Sequence, residues 1–158
     1  MIDYKDIIVN ALIKNNWTIA IIESHSNGII ANALLVSNKL DKLFNGSMVF
    51  KNYNSINNFI KLNKYQPINN DQIWSINEHD YISQIANRYF KSDVLINFVH
   101  FDQHKTKELI FSFIIKDKTI QHTIDLSKYE SDNYIHPVSM ILLSKLMEEL
   151  ILINETKK

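Results

Sequence analysis

Between Thr18 and Ala31 an apolar, β-branched run (Thr18-Ile19-Ala20-Ile21-Ile22) breaks into Glu23-Ser24-His25-Ser26-Asn27-Gly28, and a second apolar run of helical character follows from Ile29. A strand apolar on both faces belongs inside a sheet, and a helix that starts a few residues after it must pack back onto that sheet. The stretch therefore predicts a βα unit, with its polar loop at the carboxyl end of a central strand. Such a junction aims backbone N–H groups and the positive end of a helix dipole at whatever lies above the sheet. Any ligand site is expected here, with Ser26 or Asn27 as the helix cap.

The rest of the chain alternates in the same way. Tyr4 to Asn15 has helical spacing (Tyr4, Ile7, Ile8, Ala11, Leu12). Trp17 to Ile22 is the first strand, Gly28 to Val36 a buried helix, Lys39 to Asn45 a connecting turn and Gly46 to Lys51 a second strand. Tyr53 to Leu62 places Ile56, Phe59 and Ile60 on one helical face, and Lys64 to Asp71, with Pro67, is a loop. Ser75-Ile76-Asn77-Glu78 has the spacing of a capping box and opens a helix carrying the apolar stripe Tyr81, Ile82, Ile85, Ala86, Tyr89 and Phe90. Asp93 to Val99 is a third buried strand, with Asn97 out of place in its middle. Leu109 to Ile115 and the alternating Thr119 to Leu126 form a hairpin about Lys116-Asp117-Lys118. Asn133 to Asn154 closes the chain as a long helix, with Pro137 tolerable only in its first turn. The order α-β-α-β-α-α-β-β-β-α predicts an α/β fold: three layers, a mixed sheet of about five strands between helices, one domain over residues 1–158. Ligands in such folds sit at the carboxyl ends of the strands, here near Glu23, Lys51-Asn52 and His100.

Composition narrows the function classes. Seventeen basic and seventeen acidic residues cancel, so no overall field draws the chain to nucleic acid or to an anionic membrane. With no cysteine, disulfides, thiol nucleophiles and cysteine metal sites are excluded. No apolar run reaches spanning length, and the start Met1-Ile2-Asp3-Tyr4-Lys5-Asp6 is unlike a secretory signal. A cytoplasmic location is expected. Gly28 and Gly46 are the only glycines, against about seven per cent in an average protein. They are expected where the backbone needs positive φ or a close approach. Arg88 is the only arginine, so an arginine clamp on a phosphate uses that residue or does not exist.

From about Leu12 to Glu149 the chain resembles the C-terminal domain of the CinA (competence/damage-inducible) proteins, a nicotinamide-nucleotide amidohydrolase that converts nicotinamide mononucleotide to nicotinic acid mononucleotide with release of ammonia. The family loop Glu-Ser-Cys-Thr-Gly-Gly is matched by Glu23-Ser24-His25-Ser26-Asn27-Gly28. After a glycine and a short strand the family carries Tyr-Ser-Asn and, three residues on, lysine. Here Gly46 is followed by Phe50-Lys51-Asn52 and then Ser55. Ser75 and Asp93 fall where the family has its Val-Ser-Glu helix and Ala-Asp. The family's Thr-Gly-Ile-Ala-Gly-Pro loop is replaced by Val99-His100-Phe101-Asp102-Gln103-His104, and its Gly-Asp-Arg before the last helix by Ser131-Asp132-Asn133. The resemblance thus keeps the scaffold and departs where a phosphorylated substrate would be held and a nucleophile activated.

The catalytic candidates are Ser24 and Ser26, with His25 as base. Candidates for substrate binding are Glu23, Asn27, Gly28, Gly46, Phe50, Asn52, Ser55 and His100. Each has a plainer reading: the serines and Glu23 as caps and acceptors for loop N–H groups, and adjacent Ser24 and His25 as side chains that point apart. His100 and His104 lack a third metal ligand, so no metal is expected, and no cofactor is called for. Three functions follow. The resemblance implies a CinA-like domain that has lost amidohydrolase activity and persists as a binding or interaction module, its partner a pyridine nucleotide or other small nucleotide. The second is an active amidohydrolase of altered specificity, using Ser24 or Ser26 with His25 and with His100 or His104. The third is a structural, homo-oligomerising protein.

Overall fold

The computed structural model describes residues 3–71, 73–101, 107–130 and 133–156. His104, Ser131 and Asp132 lie outside them. Five strands form one sheet: β1 (Ile19–Glu23), β2 (Phe44–Val49), β3 (Val94–Phe98), β4 (Glu108–Ile115) and β5 (Lys118–Asp125). Their order is β2-β1-β3-β4-β5. β1 is parallel to both β2 and β3, while β4 and β5 run antiparallel, as the short hairpin between them requires. β1 and β3 are buried along their whole length, the two-faced burial that their unbroken apolar runs predict.

Each face of the sheet is covered by helices. Ile19, Ile21, Val94, Ile96, Phe111 and Phe113 pack under α1 (Tyr4–Asn15), α2 (Ile29–Leu35) and α5 (Ile135–Thr156). On the other face Ala20, Ile22, Leu95 and Ile114 meet α3 (Tyr53–Leu62) and α4 (Ile76–Phe90). The expected three-layer α/β fold with a mixed five-stranded sheet is the one observed. No described helix is long and apolar enough to cross a membrane.

Local signals explain the clean helix ends. Asp3 accepts from Lys5 N at 3.0 Å to start α1, and Asn16 closes it in the left-handed region at φ 55°. Ser75 and Glu78 form the expected capping box of α4. The second strand departs from expectation. It begins at Phe44, and Gly46 lies inside it at a bulge, where the partner of Ile19 is Phe44 but that of Ala20 is Gly46. Gly46 has φ +144°, and a Cβ there would stand 2.7 Å from Phe90 Cε1. Both strain and overlap oppose any side chain, so Gly46→Ala is expected to lose about 2 kcal/mol in urea unfolding. Phe90→Leu in the same chain should restore part of that loss, whereas additive effects would show that Phe90 is not the obstacle.

Candidate functional site

The sheet order turns about β1: β2 lies to one side and β3 to the other. The crevice beyond the carboxyl ends of β1 and β3 is therefore the topological switch point of the fold. The three segments that the sequence marks meet there. Phe50 N donates to Glu23 O at 2.8 Å, Ser24 bonds His100, and the Tyr53 and Phe101 rings lie 5.2 Å apart.

Glu23 is fully buried. Its Oε1 accepts from Ser26 Oγ at 2.6 Å and Ile30 N at 3.0 Å, and its Oε2 accepts from Ala31 N at 3.0 Å. The carboxylate thereby closes the amino end of α2. Neither Ser26 nor Asn27 is the cap: the N-cap position is Gly28, at φ 87° and without a side-chain bond, and the acceptor reaches in from the end of β1. This corrects the expected capping. The loop also needs two successive left-handed residues, Asn27 (φ 56°) and Gly28, which those residue types accept at low cost.

Ser24 is 1% exposed and spans the crevice. Its Oγ donates to His100 O at 2.9 Å and accepts from His100 N at 2.8 Å, tying the end of β1 to the end of β3. The hydroxyl proton of Ser24 is held by a backbone carbonyl, and that of Ser26 by a carboxylate whose other bonds come from backbone N–H groups. His25 is exposed and meets Phe101 edge-on at 6.0 Å, while the side chain of Ser24, next to it, is buried. Asn27 Oδ1 accepts from Lys51 Nζ, so an ammonium stands at the rim although Ser55 occupies the position at which the resemblance implies lysine. Asn52 and Ser55 are spent on the first turn of α3: Asn52 Oδ1 accepts from Ser55 N at 2.9 Å, and Ser55 Oγ donates to Asn52 O at 2.7 Å. Gly46, three residues before the end of β2, lies under Phe90 and not in this group. His100 is buried beneath the crevice.

Aromatic rings from these segments and from Trp74 pack into one buried cluster. Phe50, Tyr53, Trp74 and Phe101 are each at most 5% exposed. The Trp74 ring meets Phe101 edge-on at 5.0 Å, and Phe50 lies 5.5 Å from Phe59. Burial, and after it the charge of Glu78, pushes the Tyr53 phenol's pKa up, the opposite of what a phenolate activator requires. Of these four rings the sequence marks only Phe50 as a site candidate. Tyr53, Trp74 and Phe101 come from three separate segments, and no spacing rule links them.

Beneath the crevice runs a buried polar chain that the sequence shows only as the anomaly at Asn97. His79, Ser83, Asn97 and Ser112 are at most 1% exposed. Asn97 Nδ2 donates to Ser83 Oγ at 2.6 Å and to His79 O at 3.1 Å, while Val99 N donates to Asn97 Oδ1 at 2.9 Å. His79 Nε2 lies 2.8 Å from Ser112 Oγ, and its Nδ1 lies 3.4 Å from Val99 O. A carbonyl can only accept, so that contact assigns the proton to Nδ1 and makes Nε2 the acceptor of the Ser112 hydroxyl. The chain holds α4 to β3 and β4 and fixes Val99, the residue before His100. Among the described residues no three His, Asp or Glu side chains are grouped as metal ligands.

No family model matches the chain, and no curated protein does. Solved structures do. A competence or damage-inducible protein from Enterobacter asburiae superposes with a TM-score of 0.74 at 13% identity, over 93% of this chain and 96% of that one. A CinA superfamily protein from Klebsiella pneumoniae 700603 gives 0.73 at 13% identity, over 95% and 99%. The competence/damage inducible protein CihA from Agrobacterium tumefaciens gives 0.64 at 9% identity, over 100% and 98%. Nearly full coverage in both directions means that the helices and the sheet correspond as a whole, although few side chains do. The chain has the fold of the competence/damage-inducible CinA proteins.

Proposed function

We propose that this chain is a CinA-fold domain that has lost amidohydrolase chemistry and serves as a binding module for a pyridine nucleotide or another small nucleotide. The observation that carries the reading is the internal commitment of the loop after β1. Glu23 caps α2, Ser26 bonds Glu23, and Ser24 bridges to the His100 backbone. A serine nucleophile needs a base that takes its proton and a third group that orients the base. Among the described residues neither serine bonds to an imidazole. The rings of Phe50, Tyr53, Trp74 and Phe101 are buried in one cluster and offer no base. His25, Asn27 and Lys51 stand exposed at the rim and provide hydrogen-bond donors and one positive charge.

Ammonia release from nicotinamide mononucleotide tests the loss of chemistry, and calorimetry with the same nucleotide tests the retained binding. The expected pair of results is saturable binding without turnover, with binding weakened by Lys51→Ala. Turnover abolished by Ser24→Ala or Ser26→Ala would instead establish an active hydrolase. A flat calorimetric trace with several mononucleotides, together with self-association in solution, would establish the structural reading.

A further inference from the structure

A cavity of about 510 Å³ lies between the first turn of α1, the amino-terminal part of α5 as far as Leu143, and α2, and it includes none of the strand-end residues described above. That volume falls within the range of ligand pockets. Its wall is carbon: Ile30 and Leu143 are buried, and Ile29 and Ala33 are half-buried. Ser139 adds little polarity, because its hydroxyl donates to Ile135 O at 2.6 Å. The polar groups stand at the mouth, where Asp3, Lys5 and His136 are exposed. They are not equivalent. The Asp3 carboxylate is turned to the start of α1, where it accepts from Lys5 N. The Lys5 ammonium forms no ion pair among the described residues.

We infer that this cavity is a binding site for a small amphipathic carboxylate, its aliphatic or aromatic body against Ile29, Ile30, Ala33 and Leu143 and its carboxylate at Lys5 and His136. An apolar wall of this size favours a body that leaves no polar group buried, and the unpaired ammonium at the mouth selects an anionic head over a cationic one. The site is independent of the strand-end reading, so Ser24→Ala and Lys51→Ala leave it unchanged.

Octanoate, octylamine and 1-octanol separate the contributions of body and head. Calorimetry on the whole chain is expected to show saturable octanoate binding, with octylamine much weaker. Protein-observed NMR should place the octanoate shifts on Ile29, Ala33 and Leu143. Lys5→Ala, at an exposed position, should weaken octanoate about fivefold and leave 1-octanol unchanged. Ala33→Phe should fill the cavity and abolish both. Should Ala33→Phe fail to fold, Lys5→Ala and the shift map decide the question. Absence of saturable octanoate binding, shifts that fall elsewhere, or equal binding of octanoate and octylamine would overturn the proposal.

Discussion

Glu23→Ala is expected to unfold with about 4 kcal/mol less stability than the parent chain in urea denaturation. The substitution removes little apolar contact. Its cost comes from the three donors left behind: Ser26 Oγ–H, Ile30 N–H and Ala31 N–H, all directed at a carboxylate that is fully buried. Each buried donor without an acceptor costs about 1–3 kcal/mol. Ser26 can turn its hydroxyl elsewhere, but the two backbone groups cannot. Glu23→Gln keeps one acceptor oxygen and sets an NH₂ group against a backbone N–H, so it should fall roughly midway. A Glu23→Ala loss below about 1 kcal/mol would mean that water or Ser26 satisfies the start of α2 without the carboxylate. The same three bonds bear on function. A glutamate held by three internal bonds is part of the framework of the loop, and an incoming ligand would have to displace one of those bonds to use it.

Legibility from sequence followed the range of the interactions involved. The bounds of α1 and α3 were readable because periodicity, Asp3, Asn16 and the Asn52–Ser55 pair act within a few residues. The start of β2 was not, since the bulge at Gly46 answers to Phe90, far along the chain. The cap of α2 is not readable from sequence for a related reason. A side chain seven residues before Ile30 wins over the nearer Ser26 and Asn27, and only the turn of the loop brings it there. At the crevice the sequence marks the right segments but cannot show that Ser24 bridges to His100 or that rings from three segments meet. Lys51 shows the same limit: aligned with the family pattern it is misplaced, yet in space it reaches Asn27. Asn97 was visible as an anomaly, and the β3–β4 register that sets it opposite Ser112 supplies the explanation.

That register leads to the second large effect, which depends on pH. Burial first of all, and then the neighbouring His100, pull the His79 pKa down to about 4, although the Val99 carbonyl opposes them. In the unfolded chain a histidine titrates near 6.5. Between these values the unfolded state binds a proton that the folded state refuses, so stability is complete above about pH 6.5 and falls as pH drops toward 4. The gap corresponds to about 3 kcal/mol. Protonation would also reverse the bond to Ser112, because Nε2 would become a donor and the hydroxyl that now donates to it would have to turn and accept. His79→Gln retains a side-chain donor and acceptor and does not titrate in this range. Urea unfolding at a series of pH values should show the parent chain losing about 3 kcal/mol more than His79→Gln between pH 6.5 and 4, because carboxylates titrating over the same interval are common to both and cancel. Parallel curves for the two proteins would mean that His79 reaches water in the folded state and that the polar chain under the crevice is open to solvent.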